Sequence, residues 1–352
     1  MEKLQVNRKF LPLIIAMSLF VLVYAFGMIQ YKGFSSPQVF LNILIDNAFL
    51  FITCIGMTFV ILSEGIDLSV GAVIALTTVV SAYMVEKMAI HPFIAIPSVL
   101  LMGTLMGLVM GSIIYFFKVQ PFIVTLAGLF FARGMCFVIS TEAITISHPF
   151  YRAVSLYRIY LPGGYFISVS VVIFLVVLVV ALYLAHLSNF GRAVYAIGGN
   201  EHSARLMGLP VGRTKILVYT QNGFLSALAG VVFSLYTLSG YGWYVNGLEL
   251  DAIAGVVIGG TLLTGGVGYV IGSVFGVLIM GLIQTIVIFQ GTLNSWWTRI
   301  VVGLLTLFFI LIQGALVSGK RKRLSVARIE ESWEEQEDEL GADPTKNLVA
   351  DS

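Results

Sequence analysis

The residues of this sequence whose chemistry could serve a reaction or a metal ion are few and scattered. The two cysteines, Cys54 and Cys136, both lie within apolar runs, so we expect buried small side chains and no disulfide framework. The four histidines lack the spacing of metal ligands and are interpreted as ordinary residues of span ends and loops: His91, His148, His186 and His202. We therefore expect neither a catalytic residue nor a metal site in this chain.

Polar side chains within apolar runs are the other group that could act on a ligand. Asn42, Asp46 and Asn47 recur at helical spacing in one run, and Gln284 lies in a later run. Polar groups in such positions are costly and usually face a cavity or a partner helix. A ligand pathway and hydrogen bonding between helices are both open interpretations for these residues.

Two aspartates, Asp67 and Asp251, occupy matching positions in two similar ten-residue segments that lie 184 residues apart. Each aspartate precedes an apolar helix, where a carboxylate is stabilised by unpaired N–H groups and by the helix dipole. Gly71 and Gly255 follow them at the same offset. We expect a structural role at the helix start for all four residues, with direct contact to a substrate as the minority alternative for the aspartates.

The elements that must position these residues are membrane-spanning helices. Hydrophobic residues make up 58% of the 352 residues and charged residues 11%, against roughly 25% charged in an average soluble domain. So few charges cannot cover the surface of a water-soluble globule. This excludes an ordinary soluble enzyme, a disordered chain and a strongly basic nucleic-acid binder, and it predicts an all-α polytopic membrane protein.

About ten runs are candidates for crossing a bilayer, which takes roughly 20 apolar residues per helix. They are residues 10–31, 39–63, 68–85, 92–117, 121–140, 166–186, 216–238, 252–263, 267–290 and 297–317. The eighth run is short, and the glycine-rich link of residues 262–268 after it predicts either a broken helix or a re-entrant hairpin. Runs two to five and seven to ten are predicted to form an inverted repeat, because the two aspartate-containing segments then enter the membrane from opposite sides.

Lys and Arg residues are distributed unevenly between the two sides of this arrangement. If the N-terminus is cytoplasmic, fourteen of the 20 fall inside and five outside. The positive-inside rule then places both termini in the cytoplasm, which requires an even number of spans. We expect a membrane domain in residues 1–319 and a charged cytoplasmic tail in residues 320–352.

The longest polar loop on the inner side, residues 189–215, is predicted to contain a short capped helix. Asn200 is the expected N-cap, and Gly208 followed by Pro210 stops the helix. Docking on a cytoplasmic partner and a merely solvated connector explain the loop equally well. The polar side chains that this helix would expose are Glu201, His202 and Arg205.

Two long motifs point to a family. They are residues 56–71, GMTFVILSEGIDLSVG, and residues 190–200, FGRAVYAIGGN, which include Gly191 and Arg192. Both resemble the signature of sugar ABC-importer permeases of the ribose, xylose and arabinose type. Four shorter stretches are most similar to the branch that imports galactofuranose: residues 45–50, 125–128, 249–263 and 295–298. The resemblance covers about residues 10–317, and one departure is Glu64, where the family usually has glycine.

The resemblance implies a type II-like importer in a bacterial inner membrane, which works by alternating access. Its partners would be a second, different permease subunit, two cytoplasmic ATPase subunits that hold ATP and Mg, and a periplasmic sugar-binding protein. Residues 201–208 would be the coupling helix that contacts the ATPase. The sequence contains no G-x-x-x-x-G-K-[ST] phosphate loop, so we expect this chain to bind no cofactor and to have no enzymatic activity of its own.

A sugar pathway asks for hydrogen-bonding groups beside flat apolar surfaces. The candidates are Asn42, Asp46, Asn47, Gln284, Tyr241 and Trp243. An interfacial aromatic belt is the alternative for the last two. An ion-coupled secondary transporter is the competing function for the whole chain, although Asp46 is the only clear acid within a span. A membrane enzyme would need a cluster of acid, base or metal ligands that the sequence does not contain.

Overall fold

The computed structural model describes residues 11–292, 294 and 296–314, and most of these residues are helical. The described residues up to 306 belong to one compact unit, and the described residues 307–314 belong to a second. The charged tail predicted for residues 320–352 lies outside the described residues. The expected all-α polytopic class is confirmed.

The described helices, in chain order, are α1 Leu11–Gln30, α2 Pro37–Asp46, α3 Ala48–Leu62, α4 Val70–Ala82 with a π-helical extension Tyr83–Lys87, α5 Pro92–Phe116, α6 Pro121–Ile139, α7 Pro149–Leu156, α8 Val169–His186, α9 Asn189–Gly199, α10 Glu201–Leu206, α11 Val211–Thr237, α12 Leu248–Ile258, α13 Val270–Gln290 and α14 Trp296–Gly314. Four short strands form two antiparallel pairs, β1 Ile144–Thr145 with β4 Ser239–Gly240 and β2 Arg158–Tyr160 with β3 Phe166–Ser168.

Eight of the described helices are long and apolar enough to cross a membrane, namely α1, α4 with its extension, α5, α6, α8, α11, α13 and α14. A ninth crossing is made if α2 and α3 count together, and this pair is bent by 60° at Asn47. The predicted count of ten is therefore not confirmed. The eighth predicted run forms α12, whose 11 residues span roughly 16 Å, about half of the roughly 30 Å hydrocarbon core. The number of spans among the described helices is eight, which is even, or nine, which is odd, if the bent pair is one span. The cytoplasmic location of both termini therefore stays a prediction.

Helices α12 and α13 form an antiparallel hairpin that is joined by the glycine-rich link. Gly255 contacts Gly276, and Gly259 contacts Gly272, so the pairing order reverses along the two helices. At each contact, a Cβ on one glycine would overlap backbone atoms of the other helix. Of the two forms predicted for this region, the structure has the hairpin.

Helix α3 of the first half of the chain packs mainly with helices of the second half, and helix α11 of the second half packs mainly with helices of the first. Helix α11 packs on α3, α4 and α5, while α3 packs on α11, α12 and α13. The start of α4 lies against the start of α12. A Cβ at Gly71 in α4 would lie 2.5 Å from Oε2 of Glu249 in α12 and 3.0 Å from the Val245 carbonyl oxygen. This exchange is the packing that two interlocked inverted repeats require, and it buries every residue of α3 except Phe49.

The contact between α12 and α13 leads to a stability prediction. We expect Gly276→Ala to lower stability by about 1–3 kcal/mol, because the added methyl group has no space beside the Gly255 carbonyl and overpacking has this cost. The matched control is Gly134→Ala, where an added Cβ meets no atom within 4 Å and the helical preference for alanine gives up to about 1 kcal/mol. The measurement is thermal unfolding of the purified protein in detergent. Equal unfolding temperatures for the two variants would contradict the packing described here.

Candidate functional site

Asp67 lies in a buried hydrogen-bonded cluster at the break between α3 and α4. Its Oδ1 accepts hydrogen bonds from the backbone N–H and the hydroxyl of Ser69, at 2.8 and 2.6 Å, and its Oδ2 accepts from the Asn222 side-chain amide at 2.8 Å. Asp67, Ser69 and Asn222 are each 1% exposed. Because Asn222 is the twelfth residue of α11, this carboxylate ties the start of α4 to the middle of that helix.

Helix α9 makes contact with both halves of the membrane domain. A Cβ at Gly198 would overlap the carbonyl oxygen of Leu62, the last residue of α3, and would lie 2.5 Å from the backbone nitrogen of Gly266 in the α12–α13 link. The Gly266 N–H donates to the same Leu62 oxygen at 3.0 Å. The Tyr195 hydroxyl donates to the carbonyl oxygen of Gly268 in that link at 2.8 Å. Movement of α9 therefore acts directly on the end of α3 and on the hairpin.

Gly191 and Arg192, two other residues of the second motif, differ in their surroundings. Gly191 is buried against the carbonyl groups of Leu184 and Ala185, where no Cβ fits. The exposed Arg192 side chain donates to Oδ1 of Asn189 in the same helix. The structure places Gly191 at the turn from α8 into α9 and Arg192 on the surface.

Helix α10 begins and ends at the residues expected from the sequence. The Asn200 side chain accepts from the Ser203 N–H at 2.8 Å, and Gly208 follows the helix with a φ of 77°. Glu201 pairs with Lys215 at 2.5 Å and with Arg205 at 2.9 Å. Its hydrogen bond to Lys215, helped by Arg205, lowers the pKa of the Glu201 carboxyl below its ordinary value. Glu201 is thus held by the chain itself.

The exposed surface of α10 is more apolar than the sequence interpretation assumed. Leu206 is 76% exposed and Met207 is 69% exposed, and both lie beside the exposed His202 and Arg205. Sequence reasoning missed the two apolar residues because it looked for polar contacts in this loop. The available signal was that they stand in a polar loop between the N-cap Asn200 and the helix stop, where solvent exposure of apolar side chains indicates a partner surface.

A cavity of about 280 Å³ with several polar lining residues lies at the opposite end of α3 from the α9 contact, beside the first residues of that helix. It brings together three residues singled out from the sequence, Asn47 at the 60° bend, Asp251 in the first turn of α12, and Gln284 in α13. Thr298 and Arg299 from the start of α14 complete its polar lining. The sequence pointed to Asn47 and Gln284 through their polarity within apolar runs, whereas Asp251 was assigned a structural role.

The other pathway candidates lie outside this cavity. Asn42 accepts from the Gln38 amide at 2.8 Å, and Asp46 accepts from the Tyr236 hydroxyl at 3.3 Å. The rings of Tyr241 and Tyr244 contact each other at 5.6 Å, and the ring of the half-exposed Trp243 contacts that of Phe137 at 5.2 Å. None of these four candidates lines the cavity, although Asn42 and Asp46 lie one turn apart on α2.

Arg133, a charged residue inside a span, has partners that the sequence could not identify. Its guanidinium donates to the carbonyl oxygens of Gly242 and Tyr244, at 2.5 and 3.0 Å. These residues belong to the segment between α11 and α12. Arg133 therefore fixes α6 to the segment that connects α11 to α12.

Residues 39–310 match the family described as "Branched-chain amino acid transport system / permease component". This match covers more than half of the chain, and the chain belongs to this family of permease components. No solved structure matches.

Three relatives illustrate the range of the family. The Inner membrane ABC transporter permease protein YjfF of Escherichia coli (strain K12) is 51% identical over 306 residues, which is 87% of this chain and 92% of the relative. The Fructose import permease protein FruG of Bifidobacterium longum (strain NCC 2705) is 37% identical over 326 residues, 90% and 95% of the two chains. The Ribose import permease protein RbsC of Haemophilus influenzae (strain ATCC 51907 / DSM 11121 / KW20 / Rd) is 40% identical over 269 residues, 76% and 82%. The chain is therefore a multi-pass transport component of the ABC importer type and not an enzyme.

Glu64 provides a test of the turn that joins α3 to the aspartate cluster. Its φ is 64°, a left-handed conformation that costs a residue with a side chain roughly 1–2 kcal/mol and glycine nothing. We expect Glu64→Gly to raise stability by up to about 1 kcal/mol, because the greater freedom of unfolded glycine offsets part of the gain.

Glu64→Ala is the matched control, since it removes the charge and keeps the Cβ. Thermal unfolding in detergent should show stabilisation for glycine alone. If alanine stabilises the protein as much as glycine does, the charge and not the backbone is the source of the cost.

Proposed function

We propose that this chain is a translocation subunit of a sugar importer of the ABC type and that its substrate is galactofuranose or a related monosaccharide. The relatives named for ribose and fructose import, together with the motif resemblance to the galactofuranose branch, support a sugar. Alternating access would be driven by ATPase subunits that hold ATP and Mg. We further propose a heterodimer with a second permease, a bacterial inner-membrane location, and both termini in the cytoplasm.

The observation that carries this proposal is the connection from α10, through α9, to the end of α3 and to the α12–α13 link. Helix α10 has an exposed surface of Leu206 and Met207 and follows directly on α9. Helix α9 in turn contacts the end of α3 and the α12–α13 link through Gly198 and Tyr195. A force applied to α10 by an ATPase would reach both halves of the membrane domain through one rigid helix.

The contacts of residues 201–208 suggest which residues of the predicted coupling helix hold it in place and which would contact the ATPase. Glu201 is shared between Lys215 and Arg205, so it acts by holding α10 against the start of α11. Arg205 remains more than half exposed and is free to contact a carboxylate on the ATPase. The apolar contact would come from Leu206 and Met207.

Uptake by a reconstituted complex tests the function. The chain is co-expressed with candidate second permeases, ATPases and binding proteins, and the complex is placed in proteoliposomes. We expect ATP-dependent uptake of labelled sugar that requires the binding protein, with sugar-stimulated ATP hydrolysis. Uptake of free sugar by this chain alone, abolished by a protonophore, would instead establish the ion-coupled secondary transporter.

Met207→Ala tests the docking surface of α10. We expect the ATPase to bind the variant about tenfold more weakly, because a contact worth more than 1 kcal/mol at an interface centre corresponds to about that factor. Arg205→Glu should likewise weaken co-purification of the ATPase or uncouple hydrolysis from uptake.

Met88→Ala is the matched control for Met207→Ala, since Met88 is also exposed, at 56%, and follows the π-helical extension of α4 far from α10 in the sequence. The measurement is co-purification of the ATPase with each variant in detergent. If both methionine variants retain the ATPase equally well, α10 is not the docking element.

A further inference from the structure

The polar cavity beside Asn47 contains hydrogen-bonding groups that the chain itself does not use. The Thr298 hydroxyl is buried and has no hydrogen-bond partner among the described residues. Asp251 and Arg299 line the same cavity, but the ion pairs within 4.0 Å in the described part of the chain are those of Glu201. The carboxylate and the guanidinium are therefore not paired with each other, and the guanidinium lies 5.4 Å from the centre of the Trp296 ring. Both groups can offer hydrogen bonds to a ligand in the cavity.

The charged groups of this cavity are accessible: Arg299 is exposed and Asp251 is partly buried. Ionisable residues in membrane-spanning segments usually mark a substrate or ion pathway. Asn47 is 9% exposed, and its side-chain N–H donates to the Ile43 carbonyl at 2.9 Å. Its side-chain carbonyl and the second hydrogen of its NH2 group are what this amide can offer to a ligand.

The combination of groups indicates a neutral ligand with hydroxyl groups. Asp251 only accepts hydrogen bonds, Arg299 only donates, and the amides of Asn47 and Gln284 can do both. A hydroxyl group donates and accepts at once, so a polyol satisfies this mixed set. Arg299 repels a bare cation and Asp251 repels an anion, which excludes an ion of either sign as the preferred ligand.

Apolar side chains form the remaining walls of the cavity, with Leu50, Met280 and Val287 among them. A sugar ring has hydroxyl groups at its edge and C–H groups on its faces, so apolar walls complement it. The volume of about 280 Å³ is at the lower end of the roughly 300–1,000 Å³ typical of small-molecule sites. This size fits one sugar ring.

We propose that this cavity binds a single neutral monosaccharide during translocation, with Asp251, Arg299, Gln284 and Asn47 as its hydrogen-bonding partners. The proposal rests on the proposed function and adds the position of the site. The polar residues come from the bend between α2 and α3, the first turn of α12, α13 and the start of α14. Because the site is assembled from four separate segments, and three of them contribute residues from a helix end, a change in the angle of these helices would assemble or disperse it.

Protection of an introduced cysteine tests the site directly. The complete transport complex with Gln284→Cys is placed in nanodiscs and treated with a methanethiosulfonate reagent, and modification is followed by mass spectrometry of the peptide that contains the new cysteine. The native Cys54 and Cys136 are both buried, which keeps the background of this chain low. The probes are D-galactose, D-ribose and D-fructose, with D-gluconate as a charged solute of similar size.

We expect one of the neutral sugars to slow modification at position 284, roughly twofold when its concentration equals its Kd, while gluconate has no effect. Asn42→Cys, on α2 outside the cavity, should be modified at a rate that no sugar changes. Adding Asp251→Asn to Gln284→Cys should remove the protection, whereas the matched carboxylate-to-amide change Asp46→Asn should keep it. Thr298→Cys provides a second reporter if the first variant does not fold.

A sugar that the parent complex transports but that protects neither position 284 nor position 298 would overturn the proposed site and leave the proposed function intact. Protection that persists with Asp251→Asn would overturn the assignment of Asp251 as a sugar partner. Failure of the parent complex to take up any sugar, with every subunit present, would count against the proposed function instead.

Discussion

Direct contact between helix backbones at glycine positions is the constraint on which the rest of this structure depends. In lipid, apolar side chains gain little by packing together, so helices associate where small residues let their backbones approach. Gly255 with Gly276 and Gly259 with Gly272 close the α12–α13 hairpin in this way. Gly198 brings α9 against the Leu62 carbonyl and the α12–α13 link by the same means.

These contacts explain why the parts expected to work on substrate and partner are connected. The end of α3, the link after α12 and the C-terminal part of α9 meet at Leu62, Gly266 and Gly198. At its other end, α3 begins at Asn47, which lines the polar cavity. The buried helix α3 thus lies between α9, which precedes α10, and the cavity that Asp251 lines. In the proposed transport cycle, a displacement at one end would reach the other, because α3 is buried along almost its whole length.

The Asp67 cluster gives the first half of the chain a fixed point of a different kind. The buried Asp67 carboxylate is satisfied by three hydrogen bonds. The carboxylate of Asp251 in the related segment accepts none from the described residues and lines a cavity. The two aspartates match in sequence but differ in surroundings. The reason is that Asn222 of α11 lies opposite Asp67, while the position opposite Asp251 is open toward Gln284 and Arg299.

Many features followed from local pattern. Apolar runs predicted most of the helices within a few residues, because a helix in lipid must satisfy its own backbone and needs a minimum length. The cap at Asn200 and the stop at Gly208 followed from residue types whose conformational preferences act over one turn. The span count was less secure, because composition alone does not show that Asn47 bends one span or that residues 252–263 are folded back as half of a hairpin.

The sequence by itself determined that this chain is a polytopic helical membrane protein, where most of its helices lie, and that a short capped helix follows Asn200. These features depend on composition and on interactions between residues close together in the chain. Only the tertiary structure decided that Arg133 binds the Gly242 and Tyr244 carbonyls, and that Asn47, Asp251 and Gln284 share a cavity while Asp46 and Trp243 do not. The physical reason is that these neighbours are set by how helices far apart in the chain pack against one another, and that packing depends on which glycines meet.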